Sequence, residues 1–195
     1  MRKRADQVEQ TRKRITEAAV RLHTTVGPAG TTISAVADEA GVTRVTVYRH
    51  FPDEEHLFAA CSAEWMGRHP PPDPEGWRAV SPVEDRAAHA LGELYDWYRR
   101  NGDDLFPVYR DVAAMPLRVQ EEMRAAQARM ADVLVEGSGL RGRARRQLRA
   151  AAGHLTSFWT WHSLEVRNGL GHDAAVQLAV RFFVCAARAG RAEAR

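Results

Sequence analysis

The stretch GVTRVTVYRHF, residues 41–51, has helical spacing but little to bury. Its apolar residues Val42, Val47 and Phe51 fall on one side of a helix and predict a narrow buried face. Hydrogen-bonding side chains fill the positions between them: Thr43, Arg44, Thr46, Tyr48, Arg49 and His50. A short helix with this composition needs a partner that supplies the burial it lacks.

The residues before this stretch predict a second short helix packed against it. Thr31 or Thr32 can cap its start, and its apolar residues share one face: Ile33, Val36, Ala37 and Ala40. Gly41 follows where a sharp turn needs a positive φ. Two helices joined in this way have the layout of a helix-turn-helix. Threonine and arginine at the start of the second helix suit base edges in the major groove, and tyrosine and histidine suit phosphates.

The longer segment TTISAVADEAGVTRVTVYRHFPDEEHLF, residues 31–58, resembles the DNA-binding signature of the TetR (tetracycline-repressor) family, and RITEAAVRLHTTVGPAGTT resembles that family's first helix. The resemblance implies an all-α fold. It implies a three-helix DNA-binding domain at residues 1–52. A helical effector-binding and dimerisation domain at residues 53–195 would begin with a connecting helix at 53–67.

The same resemblance implies eight DNA-contacting residues: Thr32, Ser34, Thr43, Arg44, Thr46, Tyr48, Arg49 and His50. Among these, Thr43, Arg44 and Thr46 would face base edges. Thr32, Tyr48 and His50 would mainly hold phosphates. The sequence departs from the family pattern at Glu54, where a phosphate-binding lysine is frequent, so an acid there should mildly repel DNA.

Charge placement favours a polyanion partner. Residues 1–50 contain nine bases and five acids, a charge of +4, whereas the remainder contains 19 bases and 20 acids, a charge of −1. The arm Arg2, Lys3 and Arg4, or Arg12 or Arg14, could supply phosphate contacts. A disordered tail is the alternative interpretation of the arm.

The bulk composition favours a cytoplasmic protein. No apolar run approaches the roughly 20 residues of a membrane helix, and the basic N-terminus lacks the apolar stretch of a secretory signal. The two cysteines, Cys61 and Cys185, lie within apolar helical patterns and are expected to be free thiols.

The rest of the chain predicts further helices at about 82–100, 103–115, 117–136, 142–168 and 173–189, after a proline-rich loop at 68–82. Apolar stripes on the last two predict a homodimer interface: Leu155, Phe158, Trp159, Leu178, Phe182 and Ala186. Burial inside one subunit explains part of each stripe. Aromatic and sulfur side chains with one histidine are candidates for a pocket for a small hydrophobic effector: Tyr95, Tyr98, Tyr109, Met123, Met130, Trp159 and His162. Plain core packing is the alternative for most of them.

No catalytic, metal-binding or phosphate-loop motif occurs in the sequence, so no enzyme activity, metal or cofactor is predicted. The favoured function is a one-component transcriptional regulator, a repressor that a small effector releases from a palindromic operator. The alternatives are an activator, a ligand-free DNA-binding protein of the same fold, and an enzyme or carrier that retains the helix-turn-helix as a relic. The sequence identifies neither the operator nor the effector.

Overall fold

The computed structural model describes residues 2–193, and its regular elements in that range are all helical. The helices are α1 (Arg2–Thr25), α2 (Ile33–Ala40), α3 (Arg44–His50), α4 (Glu54–Arg68), α5 (Pro74–Trp77), α6 (Val83–Arg110), α7 (Leu117–Val135), α8 (Gly142–Leu155), α9 (Phe158–Trp161) and α10 (His172–Glu193). Short 3-10 turns occur at Pro28–Gly30 and Val112–Ala114, and His162–Arg167 forms a π-helix. The predicted all-α fold is confirmed.

The chain divides into two compact units. The first unit comprises the described residues up to Pro70 together with Asp103–Glu122, and the second comprises Pro71–Gly102 together with the described residues from Met123 onward. The boundary expected after residue 52 concerns function rather than packing, and it stays a prediction.

The core of the first unit forms where α1 to α4 meet. Ile15, Ala18 and Ala19 on α1 are fully buried, and Val36 on α2 and Val47 on α3 pack into the same cluster. Alanine at two of these positions lets the backbones approach closely, so the short helices α2 and α3 can share a small core with α1 and α4.

Two helix boundaries differ from those predicted in the second half of the chain. The predicted break near residues 101–104 is wrong, because α6 runs unbroken from Val83 to Arg110. Gly102 stays helical at this point, and its missing side chain makes room for Trp161: a Cβ there would lie 2.5 Å from the indole ring. The predicted helix at 142–168 is also wrong, because α8 ends at Leu155 and α9 begins at Phe158.

Tyrosines from α6 stabilise that second break. The Tyr95 hydroxyl donates to the Leu155 carbonyl and the Tyr98 hydroxyl to the Thr156 carbonyl, both at 3.0 Å. Helix-ending carbonyls need such partners because they have none within the helix. The predicted loop at 68–82 also contains the short helix α5, which buries Trp77 and lets its indole donate to Glu93 at 2.8 Å.

Candidate nucleic-acid interface

The turn between α2 and α3 is built from local hydrogen bonds. The Thr32 hydroxyl caps α2 by accepting from the Ala35 N–H at 3.1 Å. Gly41 ends α2 in the left-handed conformation, with φ of 63°. The Gly41 N–H then donates to the Asp38 carbonyl at 3.1 Å, and the Val42 N–H donates to the Ala37 carbonyl at 2.9 Å. These bonds satisfy the last carbonyls of α2 and fix the direction in which α3 starts.

The first turn of α3 is held by two threonines. The Thr43 hydroxyl accepts from the Thr46 N–H at 3.2 Å, and the two hydroxyl oxygens lie 3.0 Å apart. Thr43 therefore caps the helix while its side chain and that of Thr46 stay close to the surface. Val47 is fully buried and Phe51 is 1% exposed, so these two residues anchor α3 to the first unit.

The outward side of α3 presents four exposed residues: Arg44, Val45, Tyr48 and Arg49. The cationic and phenolic groups among them are the ones that the sequence predicts for DNA contact. Val45 was not among the predicted contacts, although it is 77% exposed. Val45 lies two residues before the buried Val47, which places it on the opposite side of the helix. That spacing is the sequence signal that predicts its exposure.

Arg12 on α1 supports the C-terminal end of α3. Its guanidinium donates to the His50 carbonyl at 2.9 Å and lies 4.3 Å from the centroid of the Phe51 ring. A cation at this end also suits the helix dipole. Arg12 therefore has a structural role beside the phosphate contact considered from the sequence, whereas Arg14 is exposed.

His50 is half-buried at the end of α3. Partial burial lowers its pKa, and the neighbouring charges of Arg49 and Arg12 act in the same direction against the opposing effect of Glu9. At neutral pH the imidazole is therefore mainly uncharged, and an uncharged imidazole can still donate one hydrogen bond to a phosphate oxygen.

The remaining predicted DNA contacts lie at helix starts. Thr32 is exposed at the cap of α2, and Ser34 is half-buried in the first turn of that helix. Glu54 is exposed in the first turn of α4, next to the cap residue Asp53, which accepts from the His56 N–H at 2.9 Å. The side chains of the predicted arm, Arg2, Lys3 and Arg4, lie outside the described residues.

A polar latch, formed by Arg110 and Asp111, holds the loop between α1 and α2. Within the first unit, the Arg110 guanidinium donates to the Val26 carbonyl at 2.8 Å, and the Asp111 carboxylate accepts from the Ala29 N–H at 3.1 Å. The Arg110 guanidinium lowers the pKa of Asp111, with help from that N–H. Gly27 has φ of 95°, and a Cβ there would collide with the Asp111 carboxylate. The sequence did not reveal this latch, because more than 80 residues separate its two sides.

The predicted effector-pocket residues lie in different surroundings within the two units. Tyr95 and Tyr98 are buried and hydrogen-bonded to backbone at the end of α8, and burial raises the pKa of Tyr95. Met123 and Met130 are half-buried on α7. Half-buried Tyr109 belongs to the first unit, whereas the other predicted pocket residues belong to the second.

An open cleft of about 260 Å³ lies in the second unit at the α8–α9 junction. Its lining combines hydroxyl, imidazole and aromatic groups: His154, Ser157, Trp159, Thr160, Ser163 and Phe182, among others. Trp159 is the predicted pocket residue that lines it. His162 lies beside it, with its ring centroid 5.7 Å from that of Trp159, and partial burial followed by the charge of Arg167 lowers the pKa of His162.

The predicted dimer residues separate into two groups. Leu155 and Phe158 are 2% and 1% exposed, so the core of the protomer already covers them. Trp159 and Phe182 are 43% and 53% exposed, and Leu178 and Ala186 on α10 are half-buried. The second group is therefore the part of the predicted interface that a partner could reach.

The described residues contain no group of three or more histidine, cysteine or acidic side chains placed to hold a metal ion. No helix within residues 2–193 has the length and apolar character needed to cross a membrane.

The turn between α2 and α3 and the exposed face of α3 define a helix-turn-helix protein, with further helices in the second unit. Residues 15–61 match the family model for bacterial regulatory proteins of the tetR family. A 58-residue segment is 38% identical to the HTH-type transcriptional regulator AcrR of Shigella flexneri, covering 30% of this chain but only 27% of that protein. Residues 15–61 therefore have the DNA-binding domain type of the tetR family, and this match spans about a quarter of the chain.

Solved structures extend the likeness to the whole fold. The chain is similar to the fatty acid degradation regulator FadR of Bacillus halodurans, with a TM-score of 0.57, 17% identity, and coverage of 91% of this chain and 94% of that one. It is similar to NalD, the secondary repressor of the MexAB-OprM multidrug efflux pump in Pseudomonas aeruginosa, with a TM-score of 0.56, 20% identity, and coverage of 92% and 96%. The multidrug binding protein EbrR, complexed with imidazole, gives a TM-score of 0.56 at 20% identity, with coverage of 88% and 93%. At these identities the likeness concerns the fold.

Proposed function

We propose that this chain is a transcriptional repressor that binds a palindromic operator as a homodimer and is released from it by a small hydrophobic effector. The observation that carries the proposal is the outward face of α3. That face presents Arg44, Tyr48 and Arg49 to solvent, while the opposite face is anchored by the fully buried Val47.

The chemistry of that face suits B-DNA. A major groove admits one α-helix, and guanidinium groups near its start can bind guanine edges in a bidentate manner. We assign Thr43, Arg44 and Thr46 to base edges and Thr32, Tyr48 and His50 to phosphates, with Ser34 and Arg49 as further contacts. Two copies of α3 about one helical turn apart would read two symmetric half-sites.

The exposed apolar surface of the second unit supports the dimer part of the proposal. Trp159 and Phe182 present large apolar side chains to solvent within one protomer. Packing α8 and α10 against their own copies would cover these residues and form a four-helix arrangement. Sedimentation of the wild type and of Phe182→Asp at equal concentrations tests this part, and a monomeric wild type would contradict it.

Binding to the DNA upstream of its own coding region tests the main proposal. Fluorescence anisotropy should show sequence-selective binding that weakens steeply with salt, as phosphate contacts require. Arg44→Ala should cost about 1–3 kcal/mol on the selected site and relax base preference there. Tyr48→Phe should weaken all sequences nearly equally, because a phosphate contact carries no base information.

Arg99→Ala is the matched control for Arg44→Ala, since Arg99 is an exposed arginine of the second unit that pairs with Asp96. It should leave both affinity and sequence preference unchanged. Equal loss on selected and random DNA for Arg44→Ala would contradict a base contact, and wild type without sequence preference would contradict the proposed function.

Two proteins of similar fold suggest two effector classes. One is a fatty acid degradation regulator, which suggests a fatty acid, and the other is a multidrug binding protein, which suggests a drug-like compound. Oleate and ethidium are suitable probes for these classes. Effector release requires that the probe bind the DNA-free state more tightly than the DNA-bound state. A probe that binds without weakening operator affinity would contradict release by that class. A promoter fusion distinguishes repressor from activator, since deletion of a repressor raises expression.

A further inference from the structure

Val45 is an apolar residue at the centre of a polar, exposed helix face. It is 77% exposed, whereas Val47, two residues further along α3, is 0% exposed. An α-helix turns by about 100° per residue, so these two valines lie on nearly opposite sides. Val45 therefore points away from the core of the first unit.

The residues that surround Val45 on this face are donors of hydrogen bonds. Tyr48 and Arg49, three and four residues later, are its neighbours on the helix surface, and both are exposed. Valine neither donates nor accepts, and it is a weaker helix former than alanine. At 77% exposure, the Val45 side chain adds little apolar burial to the described part of the first unit.

We propose that Val45 reads the C5-methyl group of a thymine in the operator's major groove. This proposal rests on the proposed operator binding. The thymine methyl is the apolar group that a base pair presents in the major groove, and apolar side chains recognise it by direct contact. Val45 thereby specifies a thymine at one position of each half-site, beside the positions that the guanidinium of Arg44 reads.

Replacing thymine by deoxyuridine tests this contact by removing one methyl group. Deoxyuridine keeps every hydrogen-bonding group of thymine and removes only the methyl. On the site selected by the wild type, each thymine is replaced in turn together with its symmetry mate, and the affinity is measured at one fixed salt concentration. Replacement at one symmetric pair of positions should lower the affinity by about three- to fivefold per half-site, which is the effect expected for one buried methyl group.

Two variants assign that loss to Val45. Val45→Ala should lose most of the discrimination between the thymine and deoxyuridine sites at that pair of positions, because both γ-methyls are gone and the remaining Cβ reaches less far toward the base. It should fold normally, since alanine favours a helix and Val45 is not part of the core. Val166→Ala, which trims another exposed valine (56%) in the second unit, should keep the full sensitivity to deoxyuridine.

The outcomes separate this proposal from the one on which it rests. A wild type that prefers its operator but is insensitive to deoxyuridine at every position overturns the methyl contact alone. Sensitivity that persists unchanged in Val45→Ala also overturns it, because another residue then touches the methyl. Absence of any sequence preference on unmodified DNA overturns operator binding, and the methyl contact with it.

Discussion

Two sharp helix breaks, one in each compact unit, differ in how far along the chain their hydrogen-bond partners lie. Between α2 and α3, the freed backbone groups find partners within about five residues, through Gly41 and the Thr43 cap. Between α8 and α9, the Leu155 and Thr156 carbonyls are satisfied by Tyr95 and Tyr98, about 60 residues earlier in the chain. The second break has local bonds too, including the Ser157 cap on the Trp159 N–H, but it adds long-range partners from α6.

The surroundings of the two breaks differ accordingly. The α8–α9 junction lies in an aromatic cluster, where the Phe158 ring centroid is 5.3 Å from Trp161 and 5.5 Å from Tyr98. From Gly41 to His50, Val47 is the residue that is buried, and Thr43, Arg44 and Arg49 are exposed. A locally encoded turn can thus expose a functional face, because its geometry does not rely on burying that face.

The largest effect should follow from removing an aromatic ring at the α8–α9 junction. Phe158→Ala should lower the free energy of unfolding by about 3–5 kcal/mol, since the ring is 99% buried and its loss leaves a cavity. Denaturant unfolding at a fixed protein concentration measures this. Phe182→Ala is the matched control: in one protomer that ring is half-exposed, so the variant should mainly weaken self-association.

A similar loss of unfolding free energy in both variants at low protein concentration would break the contrast between a buried and an exposed ring. It would mean that the Phe182 ring stabilises the protomer itself, because stability that comes from dimerisation falls as the protein is diluted.

A pH-dependent effect of intermediate size is expected in the first unit. Burial lowers the pKa of His23 to about 4, and its Nδ1 lies 3.3 Å from the Cys61 sulfur. The unfolded chain, with a histidine pKa near 6.5, binds a proton that the folded state does not. The folded state therefore keeps its full stability with respect to His23 above about pH 6.5, and it loses stability as the pH falls toward 4. Between pH 6.5 and pH 5 the loss should be about 2 kcal/mol.

Urea unfolding of the wild type and of His23→Gln at both pH values measures this dependence. The wild type should lose more stability than the variant on acidification, and His162→Gln should retain most of the wild-type dependence because His162 is less deeply buried. Parallel losses in the wild type and His23→Gln would show that carboxylates, rather than His23, govern acid sensitivity in this range.

A smaller effect should follow from removing the cap of α3. Thr43→Ala should destabilise that helix by about 1 kcal/mol, because the Thr46 N–H loses its partner. Hydrogen exchange of the α3 amides should increase while those of α6 stay protected. Thr43→Ser keeps the capping oxygen and should behave as wild type. Unchanged exchange in Thr43→Ala would mean that packing, rather than the cap, fixes this turn.

These contrasts explain which parts of the structure could be predicted from the sequence. Thr32 and Gly41 act on backbone within three or four residues, so their types and spacing predicted the start of α2 and the turn before α3. The continuity of α6 could not be predicted, because Gly102 and the preceding Asn101 are typical of a break. The space that Gly102 leaves for Trp161 becomes visible only in three dimensions.

The same distinction applies to the candidate site. The donors on α3 could be predicted because an exposed helix face follows from its spacing. The Arg110–Asp111 latch could not, since its partners lie in the loop that contains Val26 and Ala29. Tyr95 and Tyr98 were predicted for a pocket on aromatic character alone, a signal that does not distinguish a cavity wall from a hydroxyl bonded to a helix end.

The smallest effect concerns Glu54, the acid that follows the helix-turn-helix. It tests whether the charge at the start of α4 influences DNA binding. Glu54 is exposed in the first turn of α4. Glu54→Lys should raise the affinity for any DNA by about two- to fivefold at about 50 mM salt, and it should steepen the salt dependence by about one released counterion. Loss of an acid near a helix start should cost only a few tenths of a kcal/mol in stability.

Glu121→Lys is the matched control, since Glu121 is an exposed acid on α7 of the same unit and the change in net charge is identical. It should raise affinity less and leave the salt slope nearly unchanged. If both variants gained equally, net charge would explain the effect and Glu54 would not lie near a phosphate. A gain confined to Glu54→Lys would place the start of α4 beside the DNA backbone, next to the face of α3.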